Sequence, residues 1–264
     1  MMMEVLYLSK KRLFCVSDIH SYFTPFKESL DKAGFDPNNE NHWLISCGDC
    51  FDRGPDSVEL LKYLMSLERK VLVRGNHDSL LETLCMRGFP YSHDKHNGTT
   101  RTVQDISGKQ SAYDFQDACT TTYNKLARYR ELLVNYFETK NYIFVHSWIP
   151  TNKKEKPHPA DKWIPLTTNE YMEDWRKAND VEWEEAMWGN PFVLASQDLN
   201  KTGKTIVFGH WHCSAGHKIL GNCNDEFEYA IWEPCYYNNT IAIDRCTAHT
   251  GEVNVLVLED DFLD

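Results

Sequence analysis

The stretch "HWLISCGDCFDRG", residues 42–54, decides the fold. An apolar run ends at Ser46, and the next eight residues hold Asp49, Asp52, Arg53 and two glycines. A buried strand that stops in carboxylates fixes charge at its carboxyl end, where ligands of open α/β sheets gather. The same grammar recurs along the chain. "RLFCVS" runs into "DIHS", "KVLVR" into "GNHD", "NYIFV" into "HSW" and "KTIVF" into "GHWH". Each short β-rich run therefore ends in residues of the kinds that bind metals.

Between the first three runs the chain reads as helix. In "YFTPFKESLDKAGF" Phe23, Phe26 and Leu30 recur at helical spacing, and in "PDSVELLKYLMSLERK" Val58, Leu61 and Tyr63/Leu64 do the same. Pro55 suits a helix first turn. Strand, helix, strand, helix, strand predicts an α/β class with a mostly parallel sheet. Residues from about Phe89 to Leu133 read as a loop around "HNGTT" followed by a helix over "YDFQDACTTTYNKLARYRELL". Regions 89–135 and 151–191 are expected as an insertion or cap over the open end of a single domain spanning 1–264. The second of them reads as helical near its centre. The tail, "TIAIDRCTAHTGEVNVLVLEDD", reads as two strands joined by a turn at "HTGE".

The whole chain narrows the options. With 264 residues it is long enough for one large core without staples. Nine cysteines do not imply a disulfide framework, because "MMMEVLYLSKKRLFCVSD" lacks the apolar run of a secretory signal; a reducing, cytoplasmic setting is expected. No run of about 18 apolar residues exists, so no membrane span is expected. A net charge of -11 argues against an extended nucleic-acid surface, while a small phosphorylated substrate needs only a few local cations.

Two divalent ions a few ångströms apart need an oxygen ligand between them, and a carboxylate fixed at a strand end provides one. Asp49 is the expected bridge. Asp18 and His20 alternate along an extended segment, so both side chains face one ion. Asn76 and His146 supply an amide oxygen and an imidazole to the second ion, which His210 joins; His212 is placed to reach the first. Nitrogen and oxygen donors without thiolate favour Mn, with Fe or Zn as alternatives. Cys47 and Cys50 form a CxxC with Asp49 inside it and no second CxxC elsewhere, so buried reduced thiols are expected rather than a zinc site.

The ordered set "DIH", "GDCFDRG", "GNHD", the histidine of "HSW" and "GHWH" resembles the five motifs of the calcineurin-like metallophosphoesterases. The unbroken "GDCFDRG" and "RGNHD" resemble the serine/threonine phosphatase branch, which also holds lambda phage phosphatase, diadenosine tetraphosphate hydrolases and the phosphatase modules of bacterial polynucleotide kinase-phosphatases. The likeness runs from about Leu13 to Leu258. It implies a four-layer α/β/β/α sandwich with a dimetal site at one edge. It further implies a phosphoesterase that hydrolyses phosphate monoesters by direct attack of a metal-bridging hydroxide, with serine/threonine phosphoproteins as first substrates. His77 is then the acid for the leaving oxygen, Asp52 its orienting partner, and Arg53 a phosphate clamp, with Arg74 and Asn76 as further substrate contacts.

Departures from the pattern define the alternatives. Ser17 and Ser21 replace glycines of the first motif, which is expected to alter the turn more than the ligation. Trp148 is expected to line or narrow the cleft. A second phosphate-binding arginine has no match; Arg176 and Arg245 are weak candidates. The "GHWH" ending resembles phosphodiesterases, so a nucleotide or dinucleoside polyphosphate hydrolase, or a phosphodiesterase, is the alternative enzyme. A phosphate-recognition module without turnover is the non-enzyme alternative; intact Asp52, Arg53 and His77 argue against it, because binding alone needs no leaving-group acid. Tyr171, Trp175, Trp183 and Trp188 are read as aromatics that pack an insertion onto its domain rather than as a base platform. The sequence leaves the oligomeric state open.

Overall fold

A computed structural model describes residues 10–156 and 166–262. Two five-stranded sheets lie face to face with helices on both outer sides. The first sheet is built from β1 (Lys11–Val16), β2 (His42–Ser46), β3 (Lys70–Val73), β4 (Leu133–Val134) and β12 (Leu256–Asp260), in the order β12-β1-β2-β3-β4. Its β1 to β4 run parallel and β12 closes one edge antiparallel. The second contains β5 (Phe137–Glu138), β6 (Tyr142–Phe144), β9 (Thr205–Phe208), β10 (Cys235–Tyr237) and β11 (Thr240–Ala242), in the order β10-β11-β9-β6-β5. There β6, β9 and β11 run parallel, with an antiparallel strand at either edge.

Residue alternation explains the layers. Along β1, Leu13 and Cys15 enter the core between the sheets, while Phe14 and Val16 enter the core under the first helix layer. Along β9, Val207 faces the central core and Ile206 and Phe208 the opposite helix layer. Strands covered on both faces read as unbroken apolar runs, as these do. The single-sheet expectation thus divides: the runs before "HSW" and "GHWH" belong to a second sheet stacked on the first. The resemblance to the four-layer sandwich anticipates this division.

On the outer side of the first sheet lie α1 (Phe23–Ala33), α2 (Ser57–Ser66), α3 (Asn76–Arg87), α4 (Ser92–His96), α5 (Thr99–Ser107), α6 (Phe115–Lys125) and α7 (Ala127–Leu132). Helix α1 buries Phe26 and Leu30 as spaced, and Gly34 ends it in a left-handed cap. Helix α2 instead buries Leu60 and Leu64, with Val58, Leu61 and Tyr63 half-buried, and begins past Pro55 at Ser57. The stretch read as a loop after Phe89 holds α4 and α5, and Val103 and Ile106 of α5 pack into the helix-side core.

Between β6 and β9, β7 (Thr151–Lys156) pairs antiparallel with β8 (Leu166–Tyr171), followed by α8 (Asp180–Met187) and α9 (Pro191–Ser196). Residues 157–165 of this expected insertion lie outside those described. Trp175 and Trp183 are buried here, and Trp183 stacks on Tyr136 at 5.3 Å. Trp148 is buried in this core beside Phe208 and does not line the cleft. Beyond β9 comes α10 (Cys213–Ile219), and α11 (Thr247–Thr250) separates β11 from β12. The tail is therefore not a hairpin, because its two strands enter different sheets. All nine cysteines are free thiols, seven of them buried. Among the described residues no helix is long and apolar enough to cross a membrane.

Candidate active site

The turns after β1, β2 and β9 have an unusual backbone. Asp18, His20, Ser21, Asp49, Asp52, Arg53 and His210 all have φ between 49° and 76°. Such left-handed conformations cost a non-glycine residue about 1–3 kcal/mol and persist only where the surroundings impose them. Here the turns brace each other: the His20 amide donates to the Asp49 carbonyl at 3.0 Å, Ser21 to Cys50 at 2.8 Å, and Gly54 to His20 at 2.8 Å. Ser21 takes the left-handed φ that a glycine accepts readily, with its hydroxyl 3.0 Å from that of Ser57, so the turn survives the substitution.

Asp49 is the centre of the arrangement. Ligand atoms of His20, Asp49 and His77 lie within 4.8 Å of one another, and so do those of Asp49, His146 and His210. Its Oδ2 faces His20 and His77 at 4.0 Å each, and its Oδ1 faces His146 at 3.5 Å. The His77 amide also donates to Oδ1 at 2.9 Å, which fixes the carboxylate's orientation. Gly75 permits this approach, since a Cβ there would sit 2.1 Å from Asp49 Oδ1.

The histidines are oriented as ligands. His20 Nδ1 lies 2.9 Å from the Phe51 carbonyl and His146 Nδ1 lies 2.8 Å from that of Cys47, so each donates there and leaves Nε2 unprotonated. Burial and the Arg53 cation push His20 down to about 3. Burial, with His146 next in weight, does the same to His210, also to about 3. Both rings are therefore neutral and carry a free lone pair. His146 Nε2 then points at Asn76 Oδ1, 2.8 Å away. Two acceptors at that distance are satisfied by a shared cation, so the donor set fits a metal pair. Asp18 accepts from the His210 amide at 2.9 Å and from the Ser17 hydroxyl, and its Oδ1 lies 3.9 Å from His20 Nε2.

A second network stands beside these donors. His77 Nδ1 donates to Asp52 Oδ2 at 2.8 Å, and the same oxygen accepts from the Thr99 hydroxyl at 2.7 Å. The Asp52 amide donates to Thr102 Oγ1 at 3.1 Å. Burial lowers the His77 pKa, but Asp49 and the bonded Asp52 outweigh it and raise the group above its ordinary value. Arg53 Nη2 lies 3.4 Å from His77 Nε2. Gly98 packs against the backbone of this turn: its φ is +82° and a Cβ would meet the Arg53 backbone nitrogen at 2.4 Å.

These groups surround a cavity of about 300 Å3 whose walls include Asp18, His20, Asp49, Arg53, Asn76, His77, His210 and His212. His146 and Asp52 stand behind that wall. Asp18 and His212 face the cavity but belong to neither group, and His77, expected as an acid rather than a ligand, stands in the first; His212 Nδ1 meets Ser214 Oγ at 2.6 Å and its ring packs on Phe227 and Trp232. Arg74 is outside the cavity, bonded to Glu82 at 3.2 Å, so the expected substrate contact is replaced by an ion pair. Arg176 is bonded to Glu138 at 2.8 and 2.6 Å, and Arg245 to Asn254 at 3.1 Å, so neither supplies a second phosphate clamp. Sequence reasoning missed Thr99, Thr102, Gly98, Asp244, Cys246 and the cavity-facing position of Trp188. For Gly98 and Thr99 the signal was "HNGTT", whose polar residues read as a turn, and for Asp244 it was the end of the apolar run "TIAI".

The sequence model for calcineurin-like phosphoesterases matches residues 11–214. A symmetrical bis(5'-nucleosyl)-tetraphosphatase from Pseudomonas fluorescens is 28% identical over 90% of this chain and 92% of its own length. One of the same description from Aeromonas salmonicida is 47% identical over a shorter stretch, 24% of this chain and 23% of that protein. Among solved structures, a protein serine/threonine phosphatase from Saccharomyces cerevisiae aligns with a TM-score of 0.54 at 13% identity, covering 98% of this chain and 82% of its own. A cold-active protein tyrosine phosphatase from Shewanella gives 0.51 at 14%, covering 94% and 75%. Those two differ in the substrates their names state, so the shared fold does not select a substrate.

Proposed function

The chain belongs to the calcineurin-like phosphoesterase family and is a metal-dependent phosphoester hydrolase, and from that premise we propose that it cleaves dinucleoside tetraphosphates symmetrically, into two nucleoside diphosphates. The observation that carries this reading is the near end-to-end likeness to the Pseudomonas tetraphosphatase. It favours the alternative enzyme reading of the sequence over a serine/threonine-type protein phosphatase.

The residues present suit the reaction. Held at Asp49, with Asp18 and His20 on one side and Asn76, His146 and His210 on the other, a pair of divalent ions, which we take to be Mn, would supply the charge that polarises a phosphoryl oxygen and acidifies water, leaving His77 free of metal. Among the described residues lining the cavity Arg53 is the only lysine or arginine, and its planar fork holds the phosphoryl oxygens in line. His77 delivers a proton from Nε2 to the leaving diphosphate oxygen. Asp52 holds the Nδ1 proton and keeps the ring turned toward the cavity, and Thr99 keeps Asp52 in place. Asn76 and His146 complete the second group of donors.

The test uses protein stripped with a chelator, refilled with Mn²⁺ and given diadenosine tetraphosphate, with products separated by chromatography. ADP as the only nucleotide product is the expected result. AMP with ATP in equal amounts, or no cleavage beside rapid phosphopeptide turnover, would overturn the reading.

A further inference from the structure

Beyond the metal cavity lies a second one of about 240 Å3, with Thr151, Asn169, Asn190 and Leu194 in its walls. Among the described residues Trp188 alone lines both. Its indole is 49% exposed, yet it is not a loose surface ring. Its Nε1 donates to Glu184 Oε1 at 3.1 Å, and Glu184 Oε2 accepts from the Ser79 hydroxyl at 2.9 Å. Ser79 follows His77 by two residues on α3, so the chain of bonds ties the indole to the helix that carries the leaving-group acid. On its other side Trp188 stands nearly perpendicular to His210, at 86° and 6.3 Å. An exposed tryptophan held in one pose between two cavities is a preformed stacking surface.

Charge divides the two spaces. The metal cavity has Arg53 and the metal ligands, whereas the second cavity has Glu182 and Glu185 against the single Lys153, which is paired with Glu185. A phosphate is repelled there, and an uncharged group with hydrogen-bonding edges is not. We propose that the second cavity seats one nucleoside end of the substrate, its base stacked on Trp188 while the polyphosphate lies over the metal ligands. This inference rests on the tetraphosphatase reading above and extends it to a subsite. Asn169 and Thr151 then face the edges of base and ribose.

The experiment compares kcat/KM for diadenosine tetraphosphate with kcat/KM for p-nitrophenyl phosphate, using Mn-loaded protein and melting temperature as the check on folding. In Trp188→Ala the ratio should fall about tenfold or more, since base stacking is lost. Val193→Trp fills the second cavity from the half-exposed face of α9 and should lower the ratio likewise, mostly through KM. Trp188→Phe, which retains a stacking ring, should recover most of it. Wild-type ratios in both Trp188→Ala and Val193→Trp, with the dinucleotide still cleaved, would sink the subsite and leave the functional reading standing. A wild-type protein that does not cleave the dinucleotide would end both.

Discussion

The two flanks of the cavity are built by different means. On the flank supplied by the first sheet, Asp18, His20, Asp49, Arg53, Asn76 and His77 all follow directly on β1, β2 or β3. On the other flank His146, His210 and His212 follow β6 or β9 and Asp244 and Cys246 follow β11, whereas Trp188 lies in the long connection between β6 and β9. Strand ends are held by ladders and buried cores, so they suit groups that must stay within tenths of an ångström of one another. Connections vary at little cost to the core, so they suit groups that choose a substrate. The family motifs therefore sit at strand ends on both flanks, and Trp188, on a connection, is where the proposed substrate contact falls.

Breaking the rigid flank should have the largest effects. Asp49→Asn removes a charge common to both ligand groups. Metal content measured by mass spectrometry should fall below two ions per chain, with activity down by about a thousandfold or more, the loss of several kcal/mol of charge stabilisation. Full metal content in that variant would break the bridging assignment. His77→Asn should keep its metals and lose about 10²–10⁴-fold in kcat, the range of a general acid.

Smaller changes sharpen the comparison at the seam between motif and helix layer. Gly98→Ala forces a Cβ against the Arg53 nitrogen at a left-handed φ. It should cost about 1–3 kcal/mol in urea unfolding and raise KM, whereas Ala at Gly108, also left-handed but open, should leave KM alone. Thr99→Val removes a hydroxyl donor to Asp52 and should lower kcat about fivefold, the worth of one buried hydrogen bond, with Thr99→Ser restoring it.

The same division explains how much the sequence disclosed. The residue types that bind metals stand out at the ends of apolar runs, so Asp18, His20, Asp49, Asn76, His146 and His210 were legible as a group, and the structure brings them close together around Asp49. Arg74 follows its strand just as directly, but Glu82 of α3 takes its guanidinium at 3.2 Å. Thr99 and Thr102 were illegible because a hydroxyl that orients a carboxylate looks, in sequence, like any turn residue. Trp188 was grouped with Trp175 and Trp183 by proximity, yet they are buried and it is not. The tail misled for a topological reason: β11 and β12 are neighbours in sequence and members of different sheets, a fact that no local pattern carries.

The central claim, that this dimetal framework acts on a dinucleoside polyphosphate, is tested most directly by one competition. Mn-loaded protein is offered diadenosine tetraphosphate and a phosphothreonine peptide together, and both products are followed. The account predicts that ADP accumulates first and that the peptide is consumed only after the dinucleotide is spent. Equal or faster release of phosphate from the peptide would contradict it.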